Sequence, residues 1–425
     1  MIDGSNRRHF LGASAAALTA TLTSVGADTP PASDKLVVGV MGTGGRGTYL
    51  AKAFAQLPGV VVSHVCDVDL KRANAAAGEV EKTGAKAPKP VQDFRKMLDD
   101  KEINILIVAT CNHWHAPGAI LGCLADKHVY VEKPCSHNPR EGELLIEASR
   151  KMKRHVQMGN QRRSWPKIME AIQLVREGII GRAYLAQSYY YNNRPTIGKG
   201  KEAPVPEGLD YELWQGPAPR KPFRDNYLHY NWHWFWNWGN GELGNNGIHM
   251  LDLCRWGLDV QFPIRATSSG GHYRFDDDQE TPDTHLVSFE FEGKKSVTWE
   301  GLSCNQMPAG KGADVIFFGE KGSLVIAGSG YTIYDLKGKE IKKESGEGGD
   351  VIHFGNFLNT VRGKAKLNSE IEEGYRSTLL CHLGNIAHRT GRAIKCDAKN
   401  GKILDDKEAM AYWSREYAKG FEPKV

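Results

Sequence analysis

A chain of 425 residues is too long for one compact core and suits two domains. With 40% hydrophobic and 25% charged residues it is an ordinary globular sequence, which excludes disorder, collagen-like sequence and a coiled coil. The formal charge of +5 is small beside 55 basic and 50 acidic side chains and gives no ground for a nucleic-acid partner, and eight Cys without a CxxC pair argue against a zinc ribbon or a disulfide scaffold.

Residues 6–12 read Asn-Arg-Arg-His-Phe-Leu-Gly and lead into an Ala-rich apolar run closing on Val25-Gly26-Ala27. Paired arginines, a short apolar region and a small-residue site describe an export signal of the twin-arginine type. Cleavage after Ala27, a linker over 28–34 and a periplasmic location are expected. The alternatives are an N-terminal helix with a chance Arg pair, or an anchor. Thr and Ser interrupt the run, however, and a span needs about 20 apolar residues, so no stable membrane insertion is expected after cleavage.

Residues 35–41 are a continuous apolar run, as in a parallel strand buried on both faces. The run enters Gly42-Thr43-Gly44-Gly45-Arg46-Gly47 and then a helical stretch. Gly42 suits the tight turn, Gly44 lets backbone N–H groups approach a pyrophosphate, and Gly47 lets the helix pack on the strand. A second apolar run, 60–65, ends at Cys66-Asp67. Asp67 lies where a carboxylate meets the adenosine ribose hydroxyls, which favours NAD over NADP, although Lys71 and Arg72 could offset its charge. Cys66, Cys111 and Cys123 sit in strand-end or apolar settings and are expected as buried thiols.

Further strands are expected at 103–110, 128–131 and 156–158, completing a Rossmann dinucleotide-binding domain over 35–158. Each ends in a polar cluster at the carboxyl edge, where open α/β sheets bind ligands. Beyond it, 159–425 reads as an α+β domain on an open, mostly antiparallel sheet, a surface for homo-oligomer formation and for substrate. Strands are expected at 183–191, 284–292, 296–303 and 315–326, and helices at 165–177, 353–362 and 370–389, the last two amphipathic. Between them, alternation puts Trp232, Trp234, Trp236 and Trp238 on one face if the segment is extended. Such rings suit the C–H-rich face of a sugar, or else plug a hydrophobic core or a subunit contact.

The clusters 42–47, 109–115 (Ala-Thr-Cys-Asn-His-Trp-His), Glu132-Lys133-Pro134, 159–163 and 244–249 (Gly-Asn-Asn-Gly-Ile-His) resemble the Gfo/Idh/MocA oxidoreductases, the glucose–fructose oxidoreductase and inositol dehydrogenase family. The resemblance covers nearly everything after residue 35. It implies that Lys133 and His249 flank the reacting carbon beside the nicotinamide, and that Gly42, Gly44, Gly45, Arg46, Gly47, Asp67, Thr110, Asn112, His115, Glu132, Asn160 and Gln161 hold the cofactor. The family usually carries Asp four residues before the distal His. Here Asn245 stands there, and an amide cannot accept a proton as a carboxylate does. Proton transfer then falls on His249 or Lys133, with Asn245 hydrogen-bonding a hydroxyl.

Oxidising a secondary alcohol needs a hydride acceptor and a base, and Lys133 and His249 suit the base and the oxyanion stabiliser in either order. His113 and His115 form an H-x-H pair, but no third ligand stands at a metal-binding spacing, and no metal is expected. Arg163, Tyr191, Asn193 and Trp232 are pocket candidates. These readings lead to an exported oxidoreductase moving a hydride between tightly held NAD and a sugar, polyol or glycoside. A redox-assisted glycosidase or lyase is the alternative, and a non-catalytic nucleotide-binding protein the third class.

Overall fold

The computed structural model describes residues 35–306 and 314–425, so the expected export signal and its linker lie outside the described residues. Six parallel strands form the first sheet: β1 (Leu36–Met41), β2 (Val60–Cys66), β3 (Lys89–Val91), β4 (Ile105–Val108), β5 (His128–Val131) and β6 (Val156–Met158). Their order is β3-β2-β1-β4-β5-β6. All four residues of β4 are buried, as a strand covered on both faces requires. The covering helices are α1 (Gly45–Ala55), α2 (Leu70–Glu81), α3 (Arg95–Leu98), α4 (Asn112–Leu124) and α5 (Pro139–Met152).

Strand order reverses at β1, so a crevice opens beyond Met41 and Val108. Two glycines make the turn at its floor possible. Gly42 has φ +87°, and a Cβ there would lie 2.6 Å from the Ala109 carbonyl oxygen. A Cβ on Gly47 would lie 1.8 Å from the Gly42 carbonyl oxygen, so helix and turn fit together only without one.

The rest of the chain contributes α6 (Pro166–Arg176), β7 (Ala183–Asn193), α7 (Tyr211–Gln215), α8 (Ile248–Leu258), β8 (Arg265–Gly271), β9 (Thr284–Phe291), β10 (Lys295–Leu302), β11 (Cys304–Asn305), β12 (Val315–Gly319), β13 (Gly322–Ala327), β14 (Gly330–Asp335), β15 (Glu340–Glu344), α9 (Asp350–Val361), α10 (Ile371–Thr390), β16 (Ile394–Lys395) and α11 (Lys407–Ala411). The second sheet runs β15-β14-β13-β12-β7-β10-β9-β8-β16, with β11 on β7. Its pairings are antiparallel except β7 with β10. In β9, Val287, Phe289 and Phe291 point inward while Leu286 stays exposed on the open face. The apolar stretch expected over 315–326 is a hairpin of two strands, β12 and β13, rather than one long strand.

Two late helices tie the halves together. Phe354 and Phe357 of α9 pack on Tyr130 of β5, and Phe354 also on Phe54 of α1. The expected amphipathic helix α10 instead has a continuous buried run from Ser377 to Ala387. It is covered by α5 and β6 on one side and by α8 and β8 on the other, which leaves no room for a polar stripe. All eight cysteines are unpaired, seven of them buried and Cys111 half-buried. Among the described residues no helix is long and apolar enough to cross a membrane.

Candidate active site

After β7 the chain makes a long excursion, 194–240, back along the crevice of the first sheet. Leu70 N donates to the Gly208 carbonyl (3.3 Å), Asp210 N donates to the Val68 carbonyl (2.9 Å), and Gln92 Nε2 donates to the Gly208 carbonyl (3.0 Å). Tyr211, Trp214, Tyr227, Phe235 and Trp238 give this excursion its own small core. The C-terminal tail locks it from behind. Ala418 N donates to the Pro217 carbonyl at 3.2 Å, and the Phe421 ring meets Trp114 of α4 edge-on at 5.8 Å. Between excursion and crevice lies a cavity of about 650 Å³, of the size that encloses organic ligands.

The nucleotide side of the cavity is lined by Gly42, Gly44, Gly45, Arg46, Asp67, Thr110, Asn112, His115, Glu132 and Gln161. Asp67 accepts hydrogen bonds from Thr43 N (2.8 Å), Thr43 Oγ1 (3.1 Å) and Asp69 N (3.0 Å), so the carboxylate also braces the Gly-rich turn. Arg46 pairs with Glu132 at 2.8 Å and with Asp350 of α9. His115 stands between the carbonyls of Pro134 (2.6 Å) and Thr110 (3.0 Å), and burial lowers its pKa. It is therefore a strut joining two ligand-bearing strand ends. Gly47 packs under the turn and Asn160 lies buried at the end of β6; neither lines the cavity.

These residues fit a dinucleotide. Among the cavity-lining residues, Oε1 of Gln161 and Nη2 of Arg46 are buried without a hydrogen-bond partner. Buried polar atoms are nearly always satisfied, and phosphate or carboxamide groups offer the missing partners.

Lys133, Asn245 and His249 line the other end. Lys133 sits beyond β5, and the peptide bond it makes to Pro134 is cis. Asn245 lies in a π-helical turn, Leu243–Gly247, that leads directly into α8, where His249 is the second residue. Such widened turns are frequent at functional sites. Lys133 Nζ donates to the Asn245 carbonyl (2.6 Å) and to its Oδ1 (3.1 Å). Burial lowers the Lys133 pKa, opposed by Glu132 and Glu242. His249 is held well below its ordinary pKa by burial and then by the positive charges of Lys133, Arg162 and Arg46. Glu242 was not singled out by sequence. Its carboxylate is buried, pairs with Arg194 at 2.7 Å, and accepts from Asn245 Nδ2 at 3.3 Å. The only signal was a lone acid in a Gly- and Asn-rich run.

Several expected pocket residues lie elsewhere. Arg163 is buried and forks onto Asp252, with Nε–Oδ2 at 2.8 Å and Nη2–Oδ1 at 2.8 Å, out of reach of the cavity. Arg163→Ala should therefore destabilise the fold by roughly 3–5 kcal/mol by stranding Asp252. Urea unfolding measures this; unchanged unfolding with a raised substrate KM would return Arg163 to the pocket. Tyr191 bonds Glu300 at 3.0 Å on the open face of the second sheet, because successive residues of a strand face opposite ways. Its neighbour Tyr190 points toward the site, its hydroxyl 3.2 Å from Arg194 Nη2. Asn193 is exposed beside β11.

The tryptophans do not share one face, because Asn231–Trp234 is a 3₁₀ turn rather than a strand. Trp232 lines the cavity and stacks on His233 at 3.6 Å. Trp234 lies under Arg194, Trp236 meets Arg389, and Trp238 is fully buried. Leu213, Trp214, Tyr230 and His233 also line the wall without having been expected. Of the H-x-H pair, His113 is turned into the core and bonds the Trp214 carbonyl at 2.8 Å. Among the described residues no group of three or more His, Cys, Asp or Glu side chains is arranged to hold a metal ion.

Residues 36–160 match the family model of the Gfo/Idh/MocA NAD-binding Rossmann fold, and residues 188–418 match its oxidoreductase-family C-terminal alpha/beta domain. A glycosyl hydrolase family 109 protein of Saccharopolyspora erythraea is 31% identical over 169 residues, covering 38% of this chain and 36% of that protein. An inositol 2-dehydrogenase of Salmonella typhimurium is 31% identical over 159 residues, covering 37% of this chain and 46% of that protein. The matches thus span less than half the length of either relative. In fold, the chain is similar to the WlbA dehydrogenase of Bordetella pertussis, solved with NADH and UDP-GlcNAcA, at a TM-score of 0.66, 19% identity and coverage of 85% and 99%. A levoglucosan dehydrogenase solved with NADH and levoglucosan gives a TM-score of 0.66 at 17% identity, with coverage of 85% and 99%.

Proposed function

The chain belongs to the Gfo/Idh/MocA oxidoreductase family, and we propose that it oxidises a secondary hydroxyl of a sugar, polyol or glycoside with NAD. The observation that carries this reading is that Lys133 and His249 face one cavity together with the Gly42–Arg46 turn. When bound, NAD supplies the hydride acceptor. Gly42, Gly44, Gly45, Arg46, Asp67 and Gln161 are the residues placed to hold it. The imidazole of His249 makes no hydrogen bond among the described residues and is held well below its ordinary pKa, so it takes the hydroxyl proton. Lys133 donates to two acceptors and supports negative charge on the oxygen. Trp232, stacked on His233, presents an apolar ring to a sugar face.

A redox-assisted glycosidase is favoured as the second reading by the family 109 glycosyl hydrolase relative. There oxidation of a ring hydroxyl to a ketone acidifies the neighbouring C–H, loss of that proton expels the aglycone, water adds across the double bond so formed, and hydride returns to the ketone, so the net change is hydrolysis without redox. A panel of sugars and glycosides separates the readings. A keto product or net NADH supports the dehydrogenase, and released aglycone without NADH supports the glycosidase. Silence on both counts, with NAD bound, leaves a nucleotide-binding protein.

The same proposal includes export through the Arg7-Arg8 signal, and pairing of two copies across the open face of the second sheet, where Tyr184 and Leu286 are exposed. An exported enzyme cannot draw on the cytoplasmic NAD pool. The cofactor is therefore loaded before export and held through many turnovers beneath the 194–240 excursion. Acid extraction of the purified protein should release close to one nucleotide per chain. An empty protein needing millimolar NAD would contradict this.

A further inference from the structure

We propose that Glu242 is a positioning residue: its buried carboxylate fixes the side-chain amide of Asn245 and, through it, keeps Lys133 a charged donor at the cavity wall. The inference rests on the reading of Lys133 as a functional group, and it follows from hydrogen-bond polarity. The Glu242 carboxylate only accepts, and it takes the NH₂ of Asn245 at 3.3 Å and that of Asn246. That leaves the Asn245 Oδ1 for Lys133 Nζ, 3.1 Å away. Turning the amide over would set oxygen against carboxylate and NH₂ against ammonium, so one orientation satisfies both neighbours. In it, Lys133 must donate.

Arg194 pairs with Glu242, Nε donating to Oε2 at 2.7 Å and Nη2 to Oε1 at 3.3 Å. The guanidinium itself is held over the rings of Trp234 at 5.1 Å and Tyr230 at 5.5 Å. Glu242 is 2% exposed and does not line the cavity, so it can act on a substrate only through Asn245. Eight charged or titratable groups bear on Lys133. Arg46 faces it from α1, His115 from α4, Arg194 from the end of β7, His233 from the 3₁₀ turn, His249 from α8 and Cys381 from α10; Glu132 is its chain neighbour. The eighth, Glu242, is the one carboxylate joined to the Lys133 ammonium by a bonded amide. Glu132 spends one oxygen on Arg46 instead.

The test compares wild type, Glu242→Gln and Glu242→Gln/Asn245→Asp as the NAD-loaded chain. The double variant moves the carboxylate one helical turn, to the atom that faces Lys133. Competitive acetylation read by mass spectrometry titrates Lys133 without needing turnover. In Glu242→Gln its pKa should fall by about one pH unit, the lower end of the effect of a nearby opposite charge. The basic limb of the pH–rate profile should move by the same amount, with NAD binding kept. The double variant should return Lys133 to within a few tenths of wild type. If the single variant leaves Arg194 unpaired and does not fold, the double variant carries the test: titration near wild type supports the proposal, and titration a full unit lower overturns it. Glu242→Gln with unchanged Lys133 titration also overturns it. A chain that shows the shifted lysine yet oxidises no substrate sinks the functional reading while leaving Glu242 in this role.

Discussion

Lys133→Ala and His249→Ala should each slow turnover by about 10²–10⁴, the usual loss when a general acid or base is removed, while NAD stays bound. Both side chains face the cavity, but the nucleotide end is built from other residues, from Gly42 to Gln161. Asn245→Ala should lose less. A hydrogen bond between Asn245 and a neutral hydroxyl contributes about 0.5–1.5 kcal/mol. The pH profile separates the two main roles. His249 is pushed well below its ordinary pKa, so it stays an unprotonated base to lower pH than a free imidazole. The acid limb of kcat/KM should therefore lie below about 6.5, the reference value for His, and should vanish in His249→Ala. Were Asn245→Ala the most damaged variant and Lys133→Ala near wild type, the assignment of roles would be wrong.

Acid should unfold the protein well before its carboxylates titrate. Burial pushes His113, His285 and His382 each down to about 3. In the unfolded chain these imidazoles titrate near 6.5. Below that pH the unfolded state binds protons that the folded state refuses, so stability falls as pH falls, and levels off only near the folded value. Each imidazole contributes about 1.4 kcal/mol per pH unit, so the three together give roughly 4 kcal/mol per unit below pH 6. Urea unfolding at pH 7, 6 and 5 measures the slope. His382→Gln, which keeps a polar partner for Ser136, should lessen the slope by about 1.4 kcal/mol per pH unit. A flat profile down to pH 5 would show that these rings are protonated in the folded state.

The first sheet was legible in the sequence because strands buried on both faces are written as uninterrupted apolar runs, and β1, β2 and β5 fall within a residue of where those runs lie. Lys133 and His249 sit in short motifs at element ends, and the fold brings both to one cavity. What failed was whatever depends on a neighbour distant in sequence. The Trp232–Trp238 alternation has the period of a strand, yet no strand pairs with it, and the backbone closes on itself, with Trp238 N donating to the Phe235 carbonyl at 3.0 Å. Tyr191 was chosen over Tyr190 because parity within a strand cannot be assigned before the covered face is known. Helix α10 looked half-polar because Ser377, Thr378, His382 and Asn385 are polar, but all four are buried between two bodies. Glu242 stands in sequence only as a lone acid in a Gly- and Asn-rich run, since the arginine that pairs with it arrives from the end of another strand.

The hold of the C-terminal tail on the excursion sets an order of events in the life of the molecule. Arg140 N bonds the Trp413 carbonyl at 2.8 Å, and Ala418 and Phe421 seat behind the 194–240 segment. On the ribosome these residues are made long after the 194–240 segment, so the cover of the crevice exists before it is fastened. Fastening then restrains whatever the cavity encloses. A chain truncated near residue 410 would keep both sheets and every side chain that lines the cavity, yet the lesion would show as a shortened residence time of its nucleotide.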